Sequence, residues 1–188
     1  MHQYAGGWMT KDQQLVAAVK SNQPAQIKRL LALKADPNWV DPSQASHKEM
    51  TLHHACQIKS SEELVKLLLG AGAAADATDI DDWRPAHWAS YHNAEASLQC
   101  LIDAGADVNA QNRRGETPLH WACKNNCARA VRTLGASPVL RLDMLCAQQE
   151  SAREWAVRHR SEEALKALVA LTANESKRDS FAPVRISQ

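Results

Sequence analysis

Apolar and small residues return along this chain in one phrase, at one interval. Leu52-His53-His54-Ala55-Cys56, Ala86-His87-Trp88-Ala89-Ser90, Leu119-His120-Trp121-Ala122-Cys123 and, more faintly, Arg153-Glu154-Trp155-Ala156-Val157 are successive versions of it. Their alanines lie 34, 33 and 34 residues apart. Nine residues after each alanine stands an aliphatic residue (Leu64, Leu98, Val131, Leu165), and three further on a leucine (Leu67, Leu101, Leu134, Leu168). Apolar residues at this spacing predict helices. A fixed period of this size predicts a stack of helical units, each burying its apolar face on its neighbours. Each unit is expected to hold a turn, a short helix, a second helix and a projecting loop.

The polar punctuation agrees with the period. Thr117 is placed to cap a first helix, and Pro118 follows at the first helical position, where its missing N–H costs nothing. Gly105 predicts the end of a second helix, because glycine takes the left-handed C-terminal conformation without a Cβ clash. Met50-Thr51-Leu52 lacks the proline and Arg84-Pro85-Ala86 lacks the threonine, so those two helices are expected to start less firmly, by about 1 kcal/mol for a missing cap. Gly135-Ala136 follows Leu134 at once, about three residues early. That second helix is expected to fall nearly a turn short, making the junction to the last unit the weakest in the stack. The loop after it, 137–150, is correspondingly long.

Arg114-Gly115-Glu116-Thr117-Pro118-Leu119-His120-Trp121-Ala122 and Gly105-Ala106-Asp107-Val108-Asn109 resemble the ankyrin repeat, with its T-P-L-H-x-A opening and G-A-D-x-N close. The resemblance covers roughly residues 12–171. It implies an all-α ankyrin-repeat solenoid of about five helix-turn-helix repeats whose outer two act as caps. Residues 1–11 are then an N-terminal arm and 172–188 a flexible C-terminal tail. The first repeat keeps Leu15, Ala18, Ile27, Leu30 and Leu31 in register, with Val16 in the place of the motif histidine; Glu154 takes that place in the last. The Met1 start and the unpatterned tail are expected to bound a complete small protein.

Composition excludes more than it suggests. With 22 Lys+Arg against 21 Asp+Glu, no basic excess marks a nucleic-acid binder. No apolar run reaches the length of a membrane span, and Met1–Lys11 lacks the features of a secretory signal. Cys56, Cys100, Cys123 and Cys146 sit in or beside apolar phrases and read as reduced core residues of a cytoplasmic or nuclear protein. No glycine-rich phosphate loop, G-x-S-x-G or paired-acid metal pattern is present, so neither an enzyme nor a cofactor is expected. His120-x-x-Cys123-x-x-x-Cys127 looks like half a metal site, but no second ligand pair completes it and the repeat accounts for each residue. No metal is expected. The resemblance makes the motif histidines buried hydrogen-bonding residues.

The tryptophans are placed with more pattern. Trp88, Trp121 and Trp155 share one repeat position, filled by His54 in the repeat before. Two readings stay open: filler between adjacent first helices, or an exposed aromatic ladder along the concave groove. In ankyrin proteins recognition uses loop tips and the exposed side of the first helix. Carried over residue by residue, this gives Ile80, Asp81, Trp83, Tyr91 and His92 in one repeat and Arg113, Arg114, Glu116, Lys124 and Asn125 in the next. His47, Glu49, Gln57 and Ile58 hold the matching places before them. Trp, Tyr and Arg dominate interface energetics, which points to Trp83, Tyr91, Arg113 and Arg114 as the hot spot. Truncating Trp83 is expected to leave the fold largely intact. Asp76, Asp79, Asp81 and Asp82 form an acidic rim beside them. The expected function is non-catalytic binding of another protein by a monomeric adaptor, scaffold or inhibitor. An alternative is a substrate of a modifying enzyme: Leu101 to Asn109 resembles the loop that asparaginyl hydroxylases recognise, with Asn109 as acceptor. An enzyme with an unrecognised site ranks behind both.

Overall fold

A computed structural model describes residues 3–4, 7–40, 48–58 and 61–179. Among them are a two-stranded hairpin, β1 (Gln3–Tyr4) with β2 (Gly7–Trp8), and ten helices. The first helices of the five pairs are α1 (Lys11–Lys20), α3 (Thr51–Gln57), α5 (Pro85–Tyr91), α7 (Pro118–Lys124) and α9 (Ala152–Arg158). The second helices are α2 (Pro24–Ala32), α4 (Glu62–Gly70), α6 (Glu95–Asp103), α8 (Ala128–Gly135) and α10 (Glu162–Asp179). Each helix packs on its partner and on the same-layer helix of the neighbouring pair, so the chain is a two-layered stack. One continuous core runs through it, built on Ala55, Ala89, Ala122 and Ala156, each fully buried. An alanine's single methyl group is too small to hold adjacent first helices apart, which explains why the anchor is this residue.

The helix starts share one device. In α3, α5 and α7 the third residue is the motif histidine, and its Nδ1 accepts the backbone N–H of the cap residue: Met50, Arg84 and Thr117, at 3.0, 3.1 and 3.2 Å. Only Thr117 also returns a side-chain cap; Met50 and Arg84 provide none. Glu154 does the histidine's work in α9, its carboxylate accepting the Ser151 N–H at 2.6 Å. In α1 the residue is Gln13, opposite Thr10. That helix starts a turn earlier than the register of Ala18 suggests, so Val16 does not stand in for the histidine.

Three expectations are corrected by the structure. Leu64, Val65 and Leu68 carry the core in α4, and only Leu67 departs from expectation, half-buried because an extra residue separates α3 from α4 and shifts the register by one. The chain beyond residue 171 is not a tail from that point, since α10 continues to Asp179. Finally, α8 is one residue shorter than α6, not nearly a turn. Gly135 forms its last position rather than a left-handed cap. A Cβ built there would lie 2.3 Å from the Leu171 side chain. The missing side chain therefore brings α10 close, and this contact makes the junction a well-packed one.

Alanine at a helical position ordinarily stabilises by about 1 kcal/mol over glycine. Gly135→Ala is expected to lose that gain by overpacking against Leu171. In a Leu171→Ala background the same change should stabilise by about 1 kcal/mol. A double-mutant cycle from urea midpoints measures the coupling, and additive effects would show that Leu171 does not set the requirement.

The last pair ends the described stack. Cys56, Ser90 and Cys123 are fully buried against the next repeat, whereas Val157 in their place is 60% exposed. Asn93 and Asn126 hold left-handed turns and accept the N–H of Ala130 and Ala164 in the next repeat; Arg160 takes the same conformation with no such bond.

Candidate protein-binding site

Between first helices, a loop carries the chain to each tip. In the loop before α5, Asp79 Oδ1 accepts the N–H of Asp81 and Trp83 at 2.9 and 2.8 Å. In the loop before α7, Asn112 Oδ1 accepts the N–H of Arg114 and Glu116 at 2.9 and 3.0 Å. A short polar side chain thus closes each tip on its own backbone. The tips are tied in series, since Arg113 N–H donates to the Asp81 carbonyl and Ala147 N–H to the Arg114 carbonyl. From behind, each motif histidine spans to the next loop through Nε2. His53 reaches the Ala77 carbonyl, His87 that of Glu116 and His120 that of Glu150, each at 3.0 Å. With Nδ1 accepting and Nε2–H donating, these rings are neutral. Burial pushes His87 and His120 down to about 4, and His53 in the same direction.

Six residues before each anchor alanine lies a column that the sequence reading did not isolate: Glu49, Trp83, Glu116 and Glu150. The carboxylate in this column serves the ring five residues on. Glu49 meets His54 Nδ1 at 3.1 Å, and Glu150 accepts the Trp155 indole N–H at 3.1 Å. Trp83 is the departure. Its ring lies against Trp88 at 4.8 Å and Trp121 at 4.6 Å between centroids, and against Tyr91 at 6.1 Å. Asp79 Oδ2 takes the Trp88 N–H instead. In the next repeat Glu116 turns to Asn112 Nδ2 at 2.7 Å, and the buried Trp121 N–H meets no acceptor. Alignment on the anchor alanines alone would have exposed this column.

The tryptophan position resolves along its length. Trp121 and Trp155 are 8% and 5% exposed and pack edge to face at 5.6 Å between the first helices. Trp88 is half-buried, stacked on His92. Lys124 lies over the Trp121 ring, its Nζ 4.4 Å from the centroid. The filler reading holds for the last two rings, while Trp83, Trp88 and Tyr91 bring the aromatic surface outward.

The other candidates divide. Glu116 is 4% exposed and bonded inward, so it is removed from the accessible surface. Asn125 donates to the Tyr91 carbonyl, and Ile80 is half-buried. His47 lies outside the described residues. The acidic rim is mostly committed: Asp76 pairs with Arg84, Asp82 with Arg113 at 3.4 Å, and Asp79 serves the loop. Asp81 and Arg114 are exposed and form no ion pair among the described residues. They border a pocket of about 210 Å³ whose other walls include Trp83, Trp88 and Trp121. No group of three or more His, Cys, Asp or Glu side chains is placed to hold a metal among the described residues, and no helix among them is long and apolar enough to cross a membrane.

Asn109 is tied at both ends of its amide. Its Nδ2 donates to the Val139 carbonyl at 2.7 Å and its Oδ1 accepts the Arg141 N–H at 2.8 Å. Asn38 makes the same pair of bonds to Gly72 and Ala74. An enzyme acting on Asn109 must first open this loop. Asn109→Ala is expected to cost about 1 kcal/mol by removing two bonds to backbone groups that water can reach. Hydrogen exchange at Arg141 should rise with it, and unchanged protection there would show that the loop is held elsewhere.

A stack of short helical pairs with linked loop tips defines the class: a repeat protein presenting an extended side-chain surface. The family model for ankyrin repeats, in three copies, matches residues 15–112 and 95–179. The chain belongs to the ankyrin-repeat family, whose repeats generally serve as protein–protein interaction modules and are typically non-catalytic. No curated protein gives a significant match to the chain.

Proposed function

We propose that the chain is a non-catalytic binding module whose protein partner seats on the groove face and loop tips of α5 to α8. The observation that carries this reading is Trp83. It stands where three of the other repeats hold a glutamate, and it joins Trp88, Tyr91 and Trp121 into one aromatic wall beside the charges of Asp81 and Arg114, which form no ion pair among the described residues. Tyr91 is 39% exposed in the middle of that wall. Aromatic and arginine side chains bury much area at small entropic cost, which suits a hot spot. The module would act as a monomeric adaptor, scaffold or inhibitor. Its five buried cysteines, none of them in a disulfide among the described residues, suit the reducing cytoplasm or nucleus.

The test is recovery of partner from native lysate with Tyr91→Ala and Arg114→Ala, whose side chains are exposed enough to leave the stack intact. Each should cost about 2 kcal/mol of affinity. Retained binding in both variants, with loss on changes in α1–α2 or α9–α10, would move the site to the ends.

A further inference from the structure

Resting on that reading, we propose that the pocket before α5 receives an N-methylated lysine side chain from the partner. Three indoles border it, and an indole face attracts a cation through its ring quadrupole. The Asp79 carboxylate accepts the Trp88 N–H at 3.3 Å, which pushes electron density into that ring. One ring of the wall already faces an ammonium, since Lys124 lies over Trp121 and also near Trp155. At about 210 Å³ the pocket is below the roughly 300–1,000 Å³ of clefts for whole small molecules. It suits one side chain of a larger ligand.

The hydrogen bonding selects the methylated form. A bare lysine ammonium brings three N–H donors that must keep acceptors when buried. Both Asp79 oxygens are already engaged. Asp81 alone offers a free carboxylate. Methyl groups remove donors and lower the cost of leaving water, while the charge that the rings attract is kept. Mono- and dimethyl forms retain an N–H for Asp81; the trimethyl form does not. Arg114, unpaired at the same rim, has no use for a free quaternary headgroup. It fits an acidic residue beside the lysine, which makes the ligand a peptide.

The experiment follows the indole N–H signals of the full chain by NMR. The titrants are peptide pools with one central lysine in unmodified, mono-, di- or trimethylated form, and choline chloride is a separate arm. Trp83, Trp88 and Trp121 signals should shift together with the methylated pools, with affinity at least about tenfold above the unmodified pool. Asp81→Asn should erase the preference for mono- and dimethyl over trimethyl. Trp88→Phe, which keeps an apolar ring, should weaken every methylated pool. Equal response to unmodified and methylated pools, no response to any pool, or response to choline at the same concentration would each overturn the proposal. If partner recovery still depends on Tyr91 and Arg114 while all pools fail, the groove reading stands and the cation reading falls.

Discussion

Lowering the pH from 7 to 5 is expected to destabilise the stack by several kcal/mol, well before carboxylates protonate. The cause is the motif histidines. Each is buried with both ring nitrogens engaged, one accepting and one donating. A protonated ring cannot accept from its cap N–H and would leave a buried charge. For His87 the ordinary value of 6.5 falls to about 4 in the folded chain, chiefly through burial. Between those values the unfolded chain binds the proton and the folded chain does not, so stability falls as pH falls through this window. It is fully present above 6.5 and levels off for this group below about 4. At about 1.4 kcal/mol per unit, His87 alone should remove about 2 kcal/mol by pH 5. His53 and His120 shift in the same direction. The exposed carboxylates of Asp143, Glu154 and Glu163 are lowered from ordinary values of 4.5 or less, so their contribution is lost only below about pH 5. Urea midpoints at pH 7, 6 and 5 read the decline. A His87→Gln variant, using its amide on the Arg84 N–H as Gln13 does on Thr10, should start lower and decline less steeply. A flat profile in the wild-type chain would mean that the histidines are already solvated or charged.

Those histidines also show what the sequence could tell. Their 33- and 34-residue recurrence gave the helices, the anchors and the family, because a repeat must meet the same packing problem each time. Glu154 was legible as a substitution but not as a functional equivalent, since only the bond to Ser151 reveals that a carboxylate can close the same cap. The reach of His Nε2 into the next repeat joins residues 24 to 30 apart, a distance no local pattern encodes. The α8 length was misread for a related reason. Glycine has a local meaning at helix ends, and Gly135 has a tertiary one, the approach of Leu171. Glu116 was misjudged because its loop place says exposed while Asn112 draws it inward. Trp83 was found as an aromatic residue in a loop, but its wall was not, because the partners Trp88 and Trp121 lie in two different repeats.

That wall leads to the second large effect. Trp83→Ala is expected to destabilise the fold by about 3 kcal/mol, toward the low end of large aromatic truncations because the ring is only half-buried. The earlier expectation of a harmless truncation fails for this residue: its ring fills the space between Trp88, Trp121 and His87. Binding measured on the alanine variant would therefore mix lost contact with lost structure. The next repeat supplies a cleaner exchange. There Asn112 and Glu116 occupy the places of Asp79 and Trp83, and the Asn112 amide bonds the Glu116 carboxylate while still closing the loop. Asp79→Asn combined with Trp83→Glu copies that pair into the loop before α5. The double variant should keep the tip closed and lose clearly less stability than Trp83→Ala, while removing the ring that links Trp88 to Trp121. Partner binding should then fall by at least about 2 kcal/mol. Chemical denaturation and binding on the same samples separate the two quantities. A double variant as unstable as the alanine variant would show that the indole, not the loop, holds this tip in place. A stable double variant that still binds would remove the aromatic wall from the interface.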